Sequence, residues 1–496
     1  MEKVLSGIEP ELLWKYFDEL RKIPRCSKHE EKAAEYVASA VRNLGFESES
    51  DDAGNVIAKK PATEGCENAP IVVLQAHLDM VCEKNKDSDH DFAKDPIEIE
   101  IEGDYLHAKG TTLGADNGIG VSAALAILED ENAVHGPLEL VFTIDEEEGM
   151  SGAYGIQEGA LKGRRMINLD TDQIHALYVG CAGGENSEVR LPVRWEETEG
   201  SAEGSSNGAA ALMVSLKGLK GGHSGVEIHL ERGNAIKLLG RSLWEAKENV
   251  PFRLASIKGG EKHNAIPREA EAIVILQEVD VDAFRTRIEK SEKALQKEYE
   301  SVDPKLEIEV SGVRLPDKAI GTDNSEKVLN LIEALPSGVM RWSPDIEDLV
   351  ESSVNLSVLR IEGDEIFFLV SARSSSETQL ASLTDRINAI FRLVGAKVVH
   401  GDAYPAWHPN LNSKMLRVCK EAHEELFGRK PEVTAIHAGL EAGIIKKTVS
   451  GMDIVAVGAL IENAHSPDER VSITSVQELY KLVLRSLEKV AEMRAE

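Results

Sequence analysis

The sequence predicts an α/β fold: a mixed, mostly parallel sheet with helices on both faces, interrupted by an α+β insertion of two split-βαβ-like units. Three observations lead there. Four apolar runs, 71–76 (IVVLQA), 138–144 (LELVFTI), 165–169 (RMINL) and 453–460 (DIVAVGAL), are near-continuous, the mark of strands buried on both faces. Helical segments separate them, as the crossovers between parallel strands require. From about 209 the order becomes strand, helix, strand, strand, helix, strand, the plan of a split βαβ unit; from about 325 a shorter version follows.

Residues 27–45 read as a helix. Ser27 and Glu30 have capping-box spacing, Val37, Val41 and Leu44 form an apolar stripe, and Gly45 stops it. GIGVSAALAILED (118–130) reads as a helix directly after a Gly-rich turn. In the middle, ALMVSLK, FRLASIK, EAEAIVIL and LEIEV read as strands, with helices over 232–248 and 281–300. VNLSVLRIE and EIFFLVSAR follow as strands, then a helix over 377–394 and the strand AKVVHG. The last helix, 472–493, carries Val476, Leu479, Val483, Leu487 and Val490 at helical spacing. A chain of 496 residues exceeds what one core usually serves. We expect one domain from 1–185 and 401–496, with 186–400 inserted into it. EETEGSAEGSSNG (196–208) has loop composition and sits near the first boundary.

Composition excludes several functions. Lys and Arg number 56 against 86 Asp and Glu, a formal net charge of −30. Such a chain should repel nucleic acid and anionic membranes. The N-terminus, MEKVLSGIEPELLWKYFDEL, is acidic and lacks the apolar core of a signal peptide. No apolar stretch approaches the roughly 20 residues of a membrane span. Cys26, Cys66, Cys82, Cys181 and Cys419 show no CxxC spacing, so reduced thiols and a cytoplasmic location are expected.

Acidic and imidazole side chains gather where the apolar runs end. His77 and Asp79 follow the first; Asp116 sits in TTLGADNGIG, a Gly-flanked turn before a helix. Asp145, Glu146, Glu147 and Glu148 end the second run, Asp170 and Asp172 the third, and His465 follows the last. Each alone is ordinary: a strand-end histidine, a solvated acidic turn, an Asp in a Gly-rich loop. Together, beyond the carboxyl ends of parallel strands, they mark a ligand site. Clustered carboxylates repel unless a cation or bound protons are present. Histidine with carboxylate suits zinc, cobalt or manganese better than magnesium, and the lack of thiolates argues against a structural zinc.

AHLDMV, GADNGIG, DEEEGM, NLDTD, GGHSG and AHSPDE occur in this order, and together they resemble the co-catalytic metallopeptidases of the M20 clan. TTLGADNGIG, IHAGLEAG and HSPDER bring the resemblance closer to the aminoacyl-histidine dipeptidase branch (Xaa-His dipeptidases, bacterial carnosinases). It runs almost end to end. Ala442 departs from the branch's usual Cys, and Asp172 stands where Glu is common. The resemblance implies a zinc-peptidase-like domain, formed by 1–185 and 401–496, with 186–400 as its lid. It implies two divalent ions, zinc with cobalt or manganese as substitutes. Asp116 would bridge them, with His77 and Asp170 on one and Glu147 and His465 on the other. Asp79 would orient His77, Glu146 would be the general base, and a cis peptide would follow Asp116. His223 would stabilise the oxyanion. Asn264, Arg373, His437 and Glu441 would contact substrate, Arg373 its carboxylate and Glu441 its amine. Asp145 and Glu148 read as solvated or loop-structuring. The expected partner is a small dipeptide, with no nucleic acid or membrane, and a homodimer is open. The alternatives are a deacylase of N-acyl amino acids, against which the amine anchor Glu441 argues, and a non-catalytic metal-binding or scaffold protein. The scaffold reading expects a lost ligand or base; here Glu146, Asp79 and the five ligand positions are all occupied.

Overall fold

The structure, a computed structural model, describes residues 3–198 and 208–493. Most of the Gly/Ser-rich stretch expected as a loop therefore lies outside the described residues. The chain divides into two units. Met1–Cys181, Pro409–Ala435 and Leu440–Glu496 form the first; Ala182–His408 and Ile436–Gly439 form the second. The short segment Ile436–Gly439, which carries His437, thus belongs with the insertion and not with the C-terminal part.

In the first unit, Val72–His77 and Leu138–Thr143 are buried at every position, so neither can face water. They pair in parallel, Val72 opposite Leu138 and His77 opposite Thr143. Arg165–Asn168 pairs in parallel on the other side of Val72–His77, and Asp453–Ala456 pairs in parallel beyond it. Val56–Lys60 and Glu47–Ser50 join antiparallel at one margin. Ala176–Cys181, antiparallel, and then Glu432–Ile436 complete the other. The sheet is therefore mixed, with a parallel centre. The helix Ala115–Glu129 packs on Val72–His77 and on Glu11–Leu20, whose Trp14 and Phe17 are buried. Truncating Phe17 to Ala would cost about 3–5 kcal/mol by the cavity left. Among the described residues, no helix is long and apolar enough to cross a membrane.

Three sequence expectations need correction in this unit. The first helix after Cys26 starts at Glu31, and no side chain caps it. Ser27 Oγ instead donates to Asp79 Oδ2 at 2.8 Å, and Glu30 Oε1 accepts the Asp145 amide at 3.0 Å. Tertiary partners outcompete the local capping box. The strand expected over 453–460 ends at Ala456. A Cβ at Gly458 would lie 1.6 Å from the Thr171 carbonyl oxygen, so the chain turns tightly past that loop. The thiols are not all reduced: Cys26 and Cys82 form a disulfide. A parallel bridge between Cys26 and Met80 aligns the two segments and leaves the Cys26 and Cys82 Cα atoms, 56 positions apart in sequence, 5.6 Å from each other. Cys66, Cys181 and Cys419 are in no disulfide.

The second unit is built on one antiparallel sheet. Its order is Glu307–Val313, Ala209–Lys217, Ala270–Gln277, Phe252–Gly259, Val350–Glu362, Glu365–Ser374, Gly183–Pro192, Lys397–Tyr404, with Gly338–Trp342 also paired to Val350–Glu362. Numbered along the chain from Ala209–Lys217, the first half has the strand order fourth, first, third, second. The other half has the same order once Gly183–Pro192 is taken as its first strand. One split βαβ unit is thus inserted into the other, and the two meet where Gly259 faces Leu359. The second copy is complete; the strand missing from the sequence reading lies before the first copy.

Candidate active site

The site forms at the carboxyl ends of the parallel strands, the usual ligand position in an open α/β sheet. His77 ends its strand fully buried. Its Nδ1 lies 3.2 Å from Asp79 Oδ1. Its Nε2 lies 3.1 Å from Asp116 Oδ1 and 3.3 Å from Asp170 Oδ1. The other Asp116 oxygen, Oδ2, is 3.3 Å from His465 Nε2, which is 3.0 Å from Glu147 Oε1. Each Asp116 oxygen thus faces a different imidazole. Three sets of donor atoms lie within 4.8 Å of one another: His77, Asp116 and Asp170; His77, Glu146 and Glu147; Asp116, Glu147 and His465.

The backbone is shaped to permit this. Asp145 takes a left-handed φ of 55°, which breaks the alternation of the strand before it. Neighbouring Glu146 and Glu147 can then face one cluster. Their amides donate to Asp79 Oδ1 and Oδ2 at 3.0 and 3.1 Å, so one buried carboxylate organises both His77 and the Glu146–Glu147 turn. Asp116 and Asn117 are non-helical within the first turn of their helix, and the peptide bond between them is cis. Asn117 Nδ2 donates to the Leu169 carbonyl at 2.9 Å and to Asp170 Oδ1. Asp145 is buried and accepts from Ser151 Oγ at 2.6 Å, a loop-structuring role, whereas exposed Glu148 pairs with Lys28 at 2.6 Å.

The cluster's charge is far from balanced. Burial opposes ionisation of Asp79, but hydrogen bonds from His77, Ser27 and the Glu146 amide outweigh it and pull its pKa to about 2. Burial alone would lower the pKa of His465, yet Asp116 and Glu147 drive it up to about 11. His77 is likewise raised well above its ordinary range, by Asp170, Asp116 and Asp79 against the effect of burial. Burial, then neighbouring carboxylates, push Glu146 well up. Protons on imidazoles thus stand in for cations. A divalent ion can replace them, so the donor set fits a metal. Glu441 is also fully buried, and burial raises its pKa to about 8. Gln75 Nε2 donates to its Oε2 at 2.7 Å and Thr143 Oγ1 at 2.5 Å, while Oε1 lacks a partner.

The second unit holds the other predicted residues. His223 pairs with Ala265 in a two-stranded ladder, and the Ser224 amide donates to the Asn264 carbonyl at 2.8 Å. His223 and Asn264 are therefore neighbours. The amides of Gly225 and Val226 both donate to His223 Nδ1 at 3.1 Å, which puts the ring proton on Nε2. Arg373 and Ser353 face each other across paired strands, and Ser353 Oγ lies 2.7 Å from His437 Nε2. Arg373 is 8% exposed and donates to Tyr404 Oη. Burial, then the Arg373 charge, hold His437 down at about 3.

The arrangement around Asp116 is matched by a likeness along the chain. The model of peptidase family M20/M25/M40 matches residues 73–489. The chain belongs to that family. It is 40% identical over 486 residues to the cytosol non-specific dipeptidase of Escherichia coli (strain K12), covering 98% of this chain and 99% of that one. The crystal structure of aminoacylhistidine dipeptidase from Vibrio alginolyticus matches with a TM-score of 0.89 and 38% identity, over 99% of each chain. Aminopeptidase PepT from Bacillus cereus shares the fold, with a TM-score of 0.57 at 17% identity.

Several residues of this M20 member escaped the sequence reading. Arg25, 2% exposed, donates to the Leu78 and Asp79 carbonyls at 2.9 Å each and to the Gly114 carbonyl at 2.5 Å. Glu469, Ser353 and Tyr404 were equally unremarked. Only Glu469 left a signal, a carboxylate inside the motif AHSPDER.

Proposed function

We propose that this M20 protein is a metal-dependent dipeptidase that cleaves small dipeptides with a free amine, among them Xaa-His such as β-Ala-His. The observation that carries this reading is Asp116 with one oxygen toward His77 and the other toward His465, beside half-buried Glu146. His77, Asp116 and Asp170 would hold one divalent ion, and Asp116, Glu147 and His465 a second. Their donors suit zinc, with cobalt or manganese as substitutes. Such a pair would supply Lewis acidity and make a water at the site easier to deprotonate near neutral pH.

The chain's own residues do the rest. Glu146 accepts the proton of the attacking water and passes it to the leaving amine; its raised pKa suits a group that must hold that proton in between. Asp79 fixes the His77 tautomer through Nδ1. His223, with its proton on Nε2, donates to the oxygen that gains charge. Asn264 contacts the same oxygen or the substrate backbone. The Arg373 guanidinium takes the substrate carboxylate in a bidentate pair. Glu441 takes the free amine, with His437 beside the substrate. A cytoplasmic location accompanies this reading, supported by the cytosol named for the E. coli relative.

The test is a panel of β-Ala-His, Gly-His, Ala-Ala and an N-acetylated dipeptide, assayed metal-free and with zinc, cobalt or manganese. Metal-dependent cleavage of the free-amine substrates is expected. Cleavage of the acetylated substrate alone would make the protein a deacylase. No turnover with two ions bound would make it a non-catalytic metal binder.

A further inference from the structure

The metal-centre reading leaves one part of the site unexplained. His465 is half exposed and takes a left-handed φ of 63°, so little packing fixes it. Asn463, two residues earlier, is left-handed too, with φ 55°. A side chain in such a loop should wander, yet its Nε2 stays within 3.3 Å of both Asp116 and Glu147.

The fastening lies four residues on. Glu469 is 2% exposed. Its Oε2 accepts the amides of Leu113 and Gly114 at 2.7 and 2.9 Å, and its Oε1 those of Ala115 and Asp116 at 2.8 and 3.3 Å. Four consecutive amides thus converge on one carboxylate, an anion nest whose occupant is the protein's own side chain. Gly114 shapes it with a φ of 69°. A Cβ there would also lie 2.5 Å from Arg25 Nη2 and 2.7 Å from Met80 Sδ, so only glycine fits. Arg25 clamps the far side of this loop to the strand end that bears His77 and Asp79. Glu469 clamps the near side to the loop that bears His465. Beyond Glu469, Arg470–Ser472 pairs with Tyr105–Ala108, which anchors the end of the segment.

We propose that Glu469 is a positioning residue for the half of the metal centre formed by Asp116, Glu147 and His465, an inference that rests on the metal-centre reading above. It holds the His465 loop in register with Asp116 through the four amides. His77 and Asp170 do not depend on that loop, and Asp116, which both halves share, is also held through the Gly114 carbonyl by Arg25, so the other half should stand without Glu469. A glutamine at 469 has the same shape but presents an N–H to amide donors, leaving part of the nest unpaired.

Cobalt titration of metal-free wild type and Glu469→Gln tests this, followed by visible d–d absorption and calorimetry. Wild type is expected to take two ions per chain. The variant should keep the first with unchanged affinity and lose about 10–100-fold on the second, the range for outer-sphere partners of metal ligands. Glu469→Asp, which keeps the charge but shortens the reach, should fall between them; it carries the test if Glu469→Gln fails to fold. Equal affinities in variant and wild type would overturn the inference. So would a parallel loss at both sites together with a lower metal-free melting temperature, which marks a general structural role. Wild type that binds no cobalt would instead sink the metal-centre reading, and this inference with it.

Discussion

Two histidines, one in each unit, are shifted in opposite ways. In the first, His465 sits against Asp116 and Glu147, and its pKa rises to about 11. In the second, His437 is buried near Arg373, and its pKa drops to about 3. The same side chain is pulled apart by the sign of its surroundings. The cluster around Asp116 concentrates negative charge and has use for cations; the surroundings of His437 keep that one imidazole neutral near a guanidinium and suit an anionic group. Under the proposed function, the first would serve the metals and the second the substrate carboxylate and oxyanion.

The contrast can be broken from either side. Asp116→Ala removes the carboxylate shared by both halves of the negative cluster and should have the largest effect. We expect loss of both ions, read as metal content after gel filtration, with no residual hydrolysis. A variant that keeps two ions and its activity would separate Asp116 from the centre. Arg373→Met removes the positive pole. Losing a charge-assisted pair costs about 2–3 kcal/mol, so KM should rise about 30–150-fold with kcat little changed. An unchanged KM would send Arg373 back to a structural role beside Tyr404.

The smallest effect sharpens the comparison through pH. In metal-free protein, the raised pKa of His465 stabilises the fold fully below its unfolded value of 6.5. That contribution disappears as pH climbs through about 11. The depressed pKa of His437 acts the other way: its contribution is present above 6.5 and is lost as pH falls toward 3. Metal-free melting temperatures should therefore decline on both flanks. His437→Gln should flatten the acid flank alone. An acid flank identical to wild type would show that His437 titrates normally.

The parts legible in the sequence share a physical cause. Strands buried on both faces leave continuous apolar runs, and their carboxyl ends fall at fixed places, so His77, the acidic run 145–148 and Asp170 could be located by position, whereas the choice of Glu146 and Glu147 within that run rested on the family resemblance. Gly183–Pro192 was missed because it is glycine-rich at its start and alternates Glu, Ser and Arg with apolar residues, like a boundary segment. Its partners lie more than 170 residues away, Arg373 opposite Gly184 among them. Ser27 and Glu30 misled for a related reason: capping residues look alike whether they serve a helix or, as here, Asp79 and the Asp145 amide. The Cys26–Cys82 bond and the Glu469 nest both join distant segments. No local period announces such pairs. The positions of Arg25 and Glu469 became visible only as charges with almost no exposure.

The central claim is that Glu146 moves the proton and the ions stay with other residues, although Glu146 also falls within reach of His77 and Glu147. The most direct measurement is kcat for β-Ala-His hydrolysis by Glu146→Gln, with metal content determined on the same sample. We predict two ions per chain and a kcat reduced by about 10²–10⁴-fold, the contribution of a positioned general base. Full activity, or loss of an ion together with activity, would contradict it.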